Sequence, residues 1–82
     1  MRVDQLLNKL CLVKSRSIAK KACDHGLVII NDEIAKASSA VSAGDVISYE
    51  LHGRKVAFRL EKLPKKNVAK KDCPQYYTII AS

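Results

Sequence analysis

The sequence lacks several features that would assign it at once to a functional class. It has no tryptophan, four other aromatic residues, and no apolar run near the roughly 20 residues that a membrane-spanning helix needs. Its three glycines are scattered, so no glycine-rich loop is present to cradle a phosphate group. The start of the chain has no long apolar stretch and no small-residue cleavage site, which predicts a cytoplasmic protein without a signal peptide. The 82 residues predict one domain with a small core, which disfavours an enzyme with a deep pocket of its own.

The cysteines do not form a pattern that predicts a disulfide framework or a metal site. Cys11, Cys23 and Cys73 are an odd number in a chain without a secretion signal, which argues against disulfides. Zinc is the alternative, because His25 and His52 can supply nitrogen ligands. However, the sequence has no Cys-x-x-Cys pair, and the spacing from Cys23 to His25 is poor for chelation. We therefore predict free thiols, no metal site and no cofactor.

Positive charge is concentrated at the two ends of the chain. Residues 1–21, 22–53 and 54–82 have net charges of +5, −4 and +6 within the total of +7. Segregated positive charge attracts polyanions over about a Debye length, roughly 8 Å at physiological salt, and is typical of nucleic-acid-binding domains. For any single lysine, a solvated surface position is the alternative. The prediction of nucleic-acid binding therefore depends on the clusters rather than on one residue.

Two helices are predicted near the start of the chain. In the first, the apolar residues Val3, Leu6, Leu7 and Leu10 recur at helical spacing, and Asp4 can cap the helix by accepting from free N–H groups of its first turn. The second helix is predicted over residues 15–25. Its cap is either Ser15 or Ser17, and it ends at His25 followed by Gly26, a typical stop signal. Its apolar stripe consists of Ile18, Ala19, Ala22 and Cys23.

After these helices the pattern changes to that of short strands and turns. β-branched runs and alternating faces predict strands, and small polar pairs between them predict tight turns. The predicted order is a strand at 27–30, a turn at 31–32, a strand at 33–35, an irregular stretch at 36–43, a turn at 44–45, a strand at 46–51, a loop at 52–53 and a strand at 55–60. We therefore expect a small sheet behind two helices.

The end of the chain is predicted to differ from the rest. We divide the sequence into a domain at residues 1–63 and a basic C-terminal extension at residues 64–82, with Pro64 closing the compact part. The lysine-rich segment 65–71 is predicted to be either a short helix or a mobile arm. Residues 76–80 have strong strand propensity.

The second helix provides the candidate nucleic-acid interface. Its N-terminus presents free N–H groups and a partial positive charge, which suits a phosphate group, and serine hydroxyls can donate there too. We expect recognition of phosphates and of RNA shape rather than base stacking, because Phe58 is better explained as core and at most one of the adjacent residues Tyr76 and Tyr77 is expected to reach RNA. No catalytic residue is predicted. The candidate RNA-binding residues are Arg2, Lys14, Ser15, Arg16, Ser17, Lys20 and Lys21.

Several stretches, in register, resemble the S-four RNA-binding domain, named after ribosomal small-subunit protein four. The resemblance covers residues 1–51. The whole chain, including its end Tyr77-Thr78-Ile79-Ile80, is similar to the stand-alone bacterial RqcP and heat-shock-protein-fifteen factors of ribosome quality control. The matching stretches are Met1 to Leu7, Val13 to Ala19, Gly26 to Asn31 and Gly44 to Ile47.

The resemblance implies an α+β fold, the alpha-L motif, in which two N-terminal helices pack on a small, mostly antiparallel sheet followed by a basic tail. It also implies that Arg2 and Arg16 contact RNA, and that Asp4 supports the site by capping or by pairing with a nearby arginine. This chain departs from the family pattern at three positions, where members often have Arg, Arg and Gly: these are Cys11, Leu27 and Asp32.

The functional implication is binding to the large ribosomal subunit without catalysis. The resemblance implies contacts to large-subunit ribosomal RNA and to peptidyl-tRNA, which would keep the tRNA placed while a stalled chain is tailed alongside an RqcH-like factor. No membrane partner is implied. Three alternatives remain open: a ribosome-recycling RNA binder of the heat-shock type, an RNA-binding module that works with a separate RNA-modifying enzyme, and a module that binds an acidic protein or an anionic membrane surface.

Overall fold

The fold consists of two short helices on one face of a five-stranded antiparallel sheet. The structure is a computed structural model that describes residues 1–64 and 68–81. The strands lie in the order β2-β1-β3-β4-β5, and the α+β fold predicted from the sequence is confirmed. In chain order the elements are α1 (Val3–Lys9), α2 (Arg16–Asp24), β1 (Val28–Ile30), β2 (Glu33–Ile34), β3 (Val46–Leu51), β4 (Arg54–Leu60), a 3-10 helix (Lys70–Gln75) and β5 (Tyr77–Ala81).

The helices pack against each other, and α2 also packs on β3. The apolar stripe of α1 is fully buried, as its spacing predicts. On α2 the buried residues are small, namely Ala19, Ala22 and Cys23, so the helix backbone can approach its neighbours closely. The remaining sides of α2 face solvent. The helical pair is therefore fixed by its apolar side and presents a polar side outward.

The start of α1 differs from the sequence prediction. Asp4 does not precede the helix as a cap; it lies in the first turn, and its Oδ1 accepts from the backbone N–H of Gln5 at 2.7 Å. The residue at the cap position is Arg2, which makes no side-chain cap hydrogen bond. Instead, the N–H of Val3 donates to the carbonyl of Ser39 at 2.8 Å. A backbone bridge to the loop after β2 thus determines where α1 begins.

The two ends of α2 follow the sequence signals. Of the two candidate caps, Ser15 has the role: its hydroxyl oxygen accepts from the N–H of Ile18 at 3.3 Å. Ser17 lies within the first turn. The helix ends at Asp24 with His25 as its C-cap, and Gly26 follows with a φ of +71°, the left-handed conformation for which glycine has no steric penalty.

Two tight turns set the register of the sheet. Asn31 and Asp32 join β1 to β2 with φ of +49° and +69°, and His52 and Gly53 join β3 to β4 with φ of +52° and +76°. Paired positive φ values are typical of the two-residue hairpin turn that matches strand twist. The turn at Asp32 therefore forms without the glycine that is common there in the family.

The aromatic residues stabilise the core beneath the helices. Phe58 and Tyr49 lie on the inner face of the sheet, and both are buried. The ring of Phe58 contacts Tyr49 edge-on at a centroid distance of 6.3 Å and Tyr77 at 5.4 Å. These contacts confirm the expectation that Phe58 is core rather than a stacking platform for bases.

The C-terminal residues pack against the rest of the sheet. β5 pairs with β4 antiparallel, so the strand predicted at residues 76–80 is present. The thiol of Cys73 is buried and donates to the carbonyl of Ala69 at 3.5 Å. Residues 65–67 of the predicted basic segment lie outside the described part, while Lys70 and Lys71 begin the 3-10 helix. The division of the chain at residue 63 stays a prediction. The pairing of β4 with β5 joins the segments before and after this residue in one sheet.

The structure predicts that one thiol of the native protein reacts readily and two do not. Cys11 is exposed, whereas Cys23 and Cys73 are buried. Burial raises the pKa of Cys23 to about 11, with the negative charges of Asp4 and Asp24 adding to the effect, and burial also raises the pKa of Cys73. A thiol-reactive disulfide dye near pH 7.5 should modify one cysteine quickly and all three only after unfolding. Fast modification of Cys11→Ser protein would contradict this prediction.

Candidate nucleic-acid interface

The centre of the candidate interface is the carboxylate of Asp4, the only buried charged side chain in residues 1–64 and 68–81. Its side chain is 4% exposed. Its Oδ2 lies 3.2 Å from Nη2 of Arg2, within hydrogen-bond distance, and 3.6 Å from Nη2 of Arg16. Its Oδ1 accepts from Gln5, as described above. Each oxygen of this carboxylate therefore has a partner, which offsets the cost of burying a charge.

The same contacts orient two guanidinium groups from different elements. Arg2 precedes α1 and Arg16 is the first residue of α2, yet both reach one oxygen atom. The arginine side chains are 49% and 50% exposed, so one edge of each faces Asp4 and the remaining N–H donors are open to solvent. Two positive charges against one negative charge leave the cluster with a net charge of +1. It can therefore still attract an anion.

The outward side of α2 continues this positive surface. Lys20 lies one turn after Arg16, and Lys21 lies one turn after Ser17, so the two lysines occupy adjacent stripes of the helix. Both lysines are exposed, and no salt bridge between described residues includes either of them. Asp24 is the one acidic residue of α2 and lies at its C-terminal end. The positive charge thus extends from the first residue of α2 to Lys21 in its last turn.

The remaining predicted residues lie at or before the start of α2. The hydroxyl oxygen of Ser15 is used as the helix cap, so only its O–H is left to donate to a ligand. Lys14 is exposed, and its carbonyl accepts from the side chain of Asn8 at 3.5 Å. Lys14 lines a groove with Ile18, on the other side of α2 from Arg16. The structure thus brings Arg2 and Arg16 into direct proximity and places Lys14 beside a different surface feature.

Sequence reasoning missed Arg54. This exposed residue begins β4 and lines the same groove as Lys14, although 40 positions separate the two in the chain. Periodicity gives no signal for such a pair, because only the packing of the hairpin between β3 and β4 beside the first loop brings it together. The alternatives for Asp4 were capping and pairing with one arginine, and its carboxylate in fact contacts two.

The chemistry available here is electrostatic and hydrogen-bonding. Within the described residues, no group of three or more His, Cys, Asp or Glu side chains is arranged to hold a metal ion. No described helix is long and apolar enough to cross a membrane. Fixed guanidinium donors beside a lysine-bearing helix suit a chain of phosphate groups, because each phosphate presents several acceptor oxygens.

Replacing Asp4 by asparagine tests whether the carboxylate stabilises the fold. Asparagine keeps an acceptor for Gln5 and removes the charge that pairs with the arginines. We expect Asp4→Asn to lower the free energy of unfolding by about 1–2 kcal/mol, since the arginine partners are half exposed. Urea unfolding measures the change.

The matched control is Asp24→Asn, which removes an exposed aspartate from α2. It should change the free energy of unfolding by less than about 0.5 kcal/mol. Equal effects of the two substitutions would mean that the buried ion cluster makes no special contribution.

The chain is similar to a known family of domains and to named bacterial proteins. The model of the S4 domain matches residues 1–47. The chain is 35% identical over 80 residues to the RQC P-site tRNA stabilizing factor of Bacillus subtilis strain 168, covering 98% of this chain and 92% of that protein. It is 39% identical over 77 residues to the protein of the same name from Helicobacter pylori strain 26695, covering 93% of this chain and 92% of the relative.

Two solved structures share the fold over nearly the whole chain. The trimeric structure of Vibrio cholerae Heat Shock Protein 15 matches with a TM-score of 0.89 at 26% identity, covering 99% of this chain and 82% of that one. The solution structure of the hypothetical protein HP1423 matches with a TM-score of 0.83 at 34% identity, covering 100% of this chain and 99% of that one. Both matches extend through β5 as well as the residues that the domain model covers.

Proposed function

This chain belongs to the S4 domain family and, within it, to the group of RQC P-site tRNA stabilizing factors, and we propose that it is a non-catalytic RNA-binding protein of ribosome-associated quality control. Its site of action is the large ribosomal subunit in the cytoplasm, where it contacts ribosomal RNA and the peptidyl-tRNA. The contacting residues are Arg2, Lys14, Ser15, Arg16, Ser17, Lys20 and Lys21, with Asp4 as their support.

The observation that supports this proposal most is the shared carboxylate of Asp4. Two arginines held by one buried acid are oriented before RNA arrives, so less side-chain freedom is lost on binding. Guanidinium groups can bind phosphate oxygens through two parallel hydrogen bonds, which fixes direction as well as distance. The free N–H groups at the start of α2 add a further attraction for phosphate.

The mechanism is preferential binding rather than chemistry. A protein that contacts ribosomal RNA and tRNA together lowers the free energy of the arrangement that permits both contacts. The tRNA then stays placed while an RqcH-like factor extends the stalled chain. No bond is formed or broken by this protein, and no cofactor is required.

A ribosome-recycling role is the second candidate. It is supported by the structural match to Heat Shock Protein 15, with its TM-score of 0.89. The sequence identity to that protein is 26%, below the 35% and 39% found for the tRNA-stabilizing relatives. We therefore favour the tRNA-stabilizing role. Both candidates use the same RNA-binding face.

The effect of Arg16→Ala on RNA affinity tests the proposed face. Loss of a charge-assisted contact of about 1–3 kcal/mol should raise the Kd for tRNA-bearing large subunits about 5- to 150-fold. Co-sedimentation at fixed salt measures this Kd.

The chain offers a matched control for this variant in Arg59→Ala. Arg59 is also about half exposed, at 54%, and it also pairs with one carboxylate, that of Glu61, at 3.1 Å. It lies on the outer face of the sheet, away from α2, so Arg59→Ala should change the Kd less than twofold. Equal losses of affinity in the two variants would mean that only the total charge of the protein matters, which would contradict the proposed RNA-binding face.

The salt dependence of binding provides an independent prediction. Each phosphate neutralised should contribute about 0.7 to 0.9 to the slope of log K against log salt. The variant Arg2→Ala/Arg16→Ala should therefore have a slope smaller in magnitude by roughly 1.4 to 1.8 than that of the unaltered protein. Titrations between 50 and 200 mM potassium chloride, about the range in which such slopes are measured, test this. An unchanged slope would mean that neither arginine contacts a phosphate.

A further inference from the structure

A groove lies beside α2, on the side away from Arg2 and Arg16. It runs between the loop that joins the two helices and the hairpin of β3 and β4, and its volume is about 540 Å³. This volume lies within the range of small-molecule sites. The lining residues that matter for its chemistry are Lys14, Ile18, Tyr49, Leu51, Arg54 and Val56.

The composition of the groove favours an anionic ligand with a flat apolar part. Its walls are largely aliphatic, with Ile18, Leu51 and Val56 each partly buried. Its exposed charged residues are Lys14 and Arg54, and no acidic side chain lines it. An apolar surface with a cationic edge is complementary to a nucleotide, which joins a planar base to a negative phosphate.

Tyr49 adds a polar group to the floor of the groove. The residue is 7% exposed, and its hydroxyl forms no hydrogen bond with any other described residue. In that same part of the chain, no fully buried side-chain nitrogen or oxygen lacks a partner, so this hydroxyl keeps some contact with solvent, and Tyr49 lines the groove. Burial raises the pKa of Tyr49 further above neutral pH, where the hydroxyl of tyrosine is ordinarily protonated. It can therefore donate to, or accept from, the edge of a base.

We propose that this groove binds one unstacked nucleotide of the RNA that the Arg2–Arg16 face holds. The base lies against the aliphatic walls with its edge at the Tyr49 hydroxyl, and the phosphate lies at Lys14 and Arg54. The site is continuous with the RNA face, because Lys14 directly precedes the cap of α2 and Arg16 directly follows it. An RNA strand that crosses the start of α2 reaches both surfaces. This inference rests on the proposed function and adds base contact to the phosphate contact described there.

Methyl NMR spectra of the full chain provide the test. The protein, with labelled isoleucine, leucine and valine methyl groups, is titrated with AMP, CMP, GMP and UMP, and separately with ribose 5-phosphate. The nucleotides should shift the methyl signals of Ile18, Leu51 and Val56. Ribose 5-phosphate, which has no base to stack, should bind about 5- to 150-fold more weakly. Equal binding of ribose 5-phosphate, or nucleotide shifts only at other methyl groups, would overturn the proposal.

Neighbouring residues of β4 supply a matched pair of variants. Arg54 and Lys55 are adjacent and both exposed, and their side chains point to opposite faces of the sheet. Arg54→Ala should weaken binding of AMP about 3- to 10-fold, and Lys55→Ala should leave it unchanged. Tyr49→Phe, which keeps the ring in the core, should weaken it about 3- to 10-fold as well. Full AMP affinity in Tyr49→Phe and Arg54→Ala would contradict the proposed contacts.

The test also distinguishes an acidic peptide from a nucleotide as the occupant. A hexaglutamate peptide is titrated in parallel, and tighter binding of the peptide at the same methyl groups would overturn the proposal. Binding of tRNA-bearing large subunits is measured on the same samples. If subunits bind in an Arg16-dependent manner while nucleotides leave the groove unshifted, the nucleotide site alone is wrong. If subunits do not bind to the unaltered protein, the proposed function is wrong.

Discussion

The buried carboxylate of Asp4 connects the two structural units on which the candidate interface depends. A charge at this depth requires partners, and the available ones are Arg2, ahead of α1, and Arg16, at the start of α2. The need to satisfy one acid therefore fixes the relative position of two bases. The apolar packing between the helices determines which side of α2 is buried, and the opposite side is left exposed and bears the lysines. The stability of the fold and the shape of the positive surface thus both depend on the contacts of Asp4 with the two arginines.

Much of the fold could be predicted from the sequence, because the relevant signals are local. Helical spacing identified both helices, His25 and Gly26 marked the end of the second, and Asn31 with Asp32 marked a hairpin turn. The prediction that Asp4 caps α1 from the position before the helix was wrong. Asp4 has the chemistry of a cap, yet the hydrogen bond from Val3 to the loop at Ser39 starts α1 one residue before it. A contact between segments more than 30 positions apart is not visible in a local pattern.

The candidate site could be predicted in part for the same reason. Arg16, Lys20 and Lys21 share a helix, so their clustering follows from spacing. Arg2 was added because it lies just ahead of the first helix, and the family resemblance implies RNA contact for it as well. Two features depend on tertiary packing and could not be predicted. One is the contact of both Arg2 and Arg16 with Asp4, and the other is the position of Lys14 and Arg54 in the same groove. Two surfaces then flank α2, one with fixed guanidinium groups and one with aliphatic walls. Their different chemistry suits the backbone and the bases of one RNA.

The affinity of Asp4→Asn for tRNA-bearing large subunits tests the central claim most directly. Removing a negative charge beside a polyanion strengthens binding if net charge alone matters. If the carboxylate instead orients Arg2 and Arg16, Asp4→Asn should weaken binding, and it should add little to the loss already caused by Arg2→Ala/Arg16→Ala. Co-sedimentation of the variants, each checked for folding by circular dichroism, measures both effects. Tighter binding by Asp4→Asn would contradict the account.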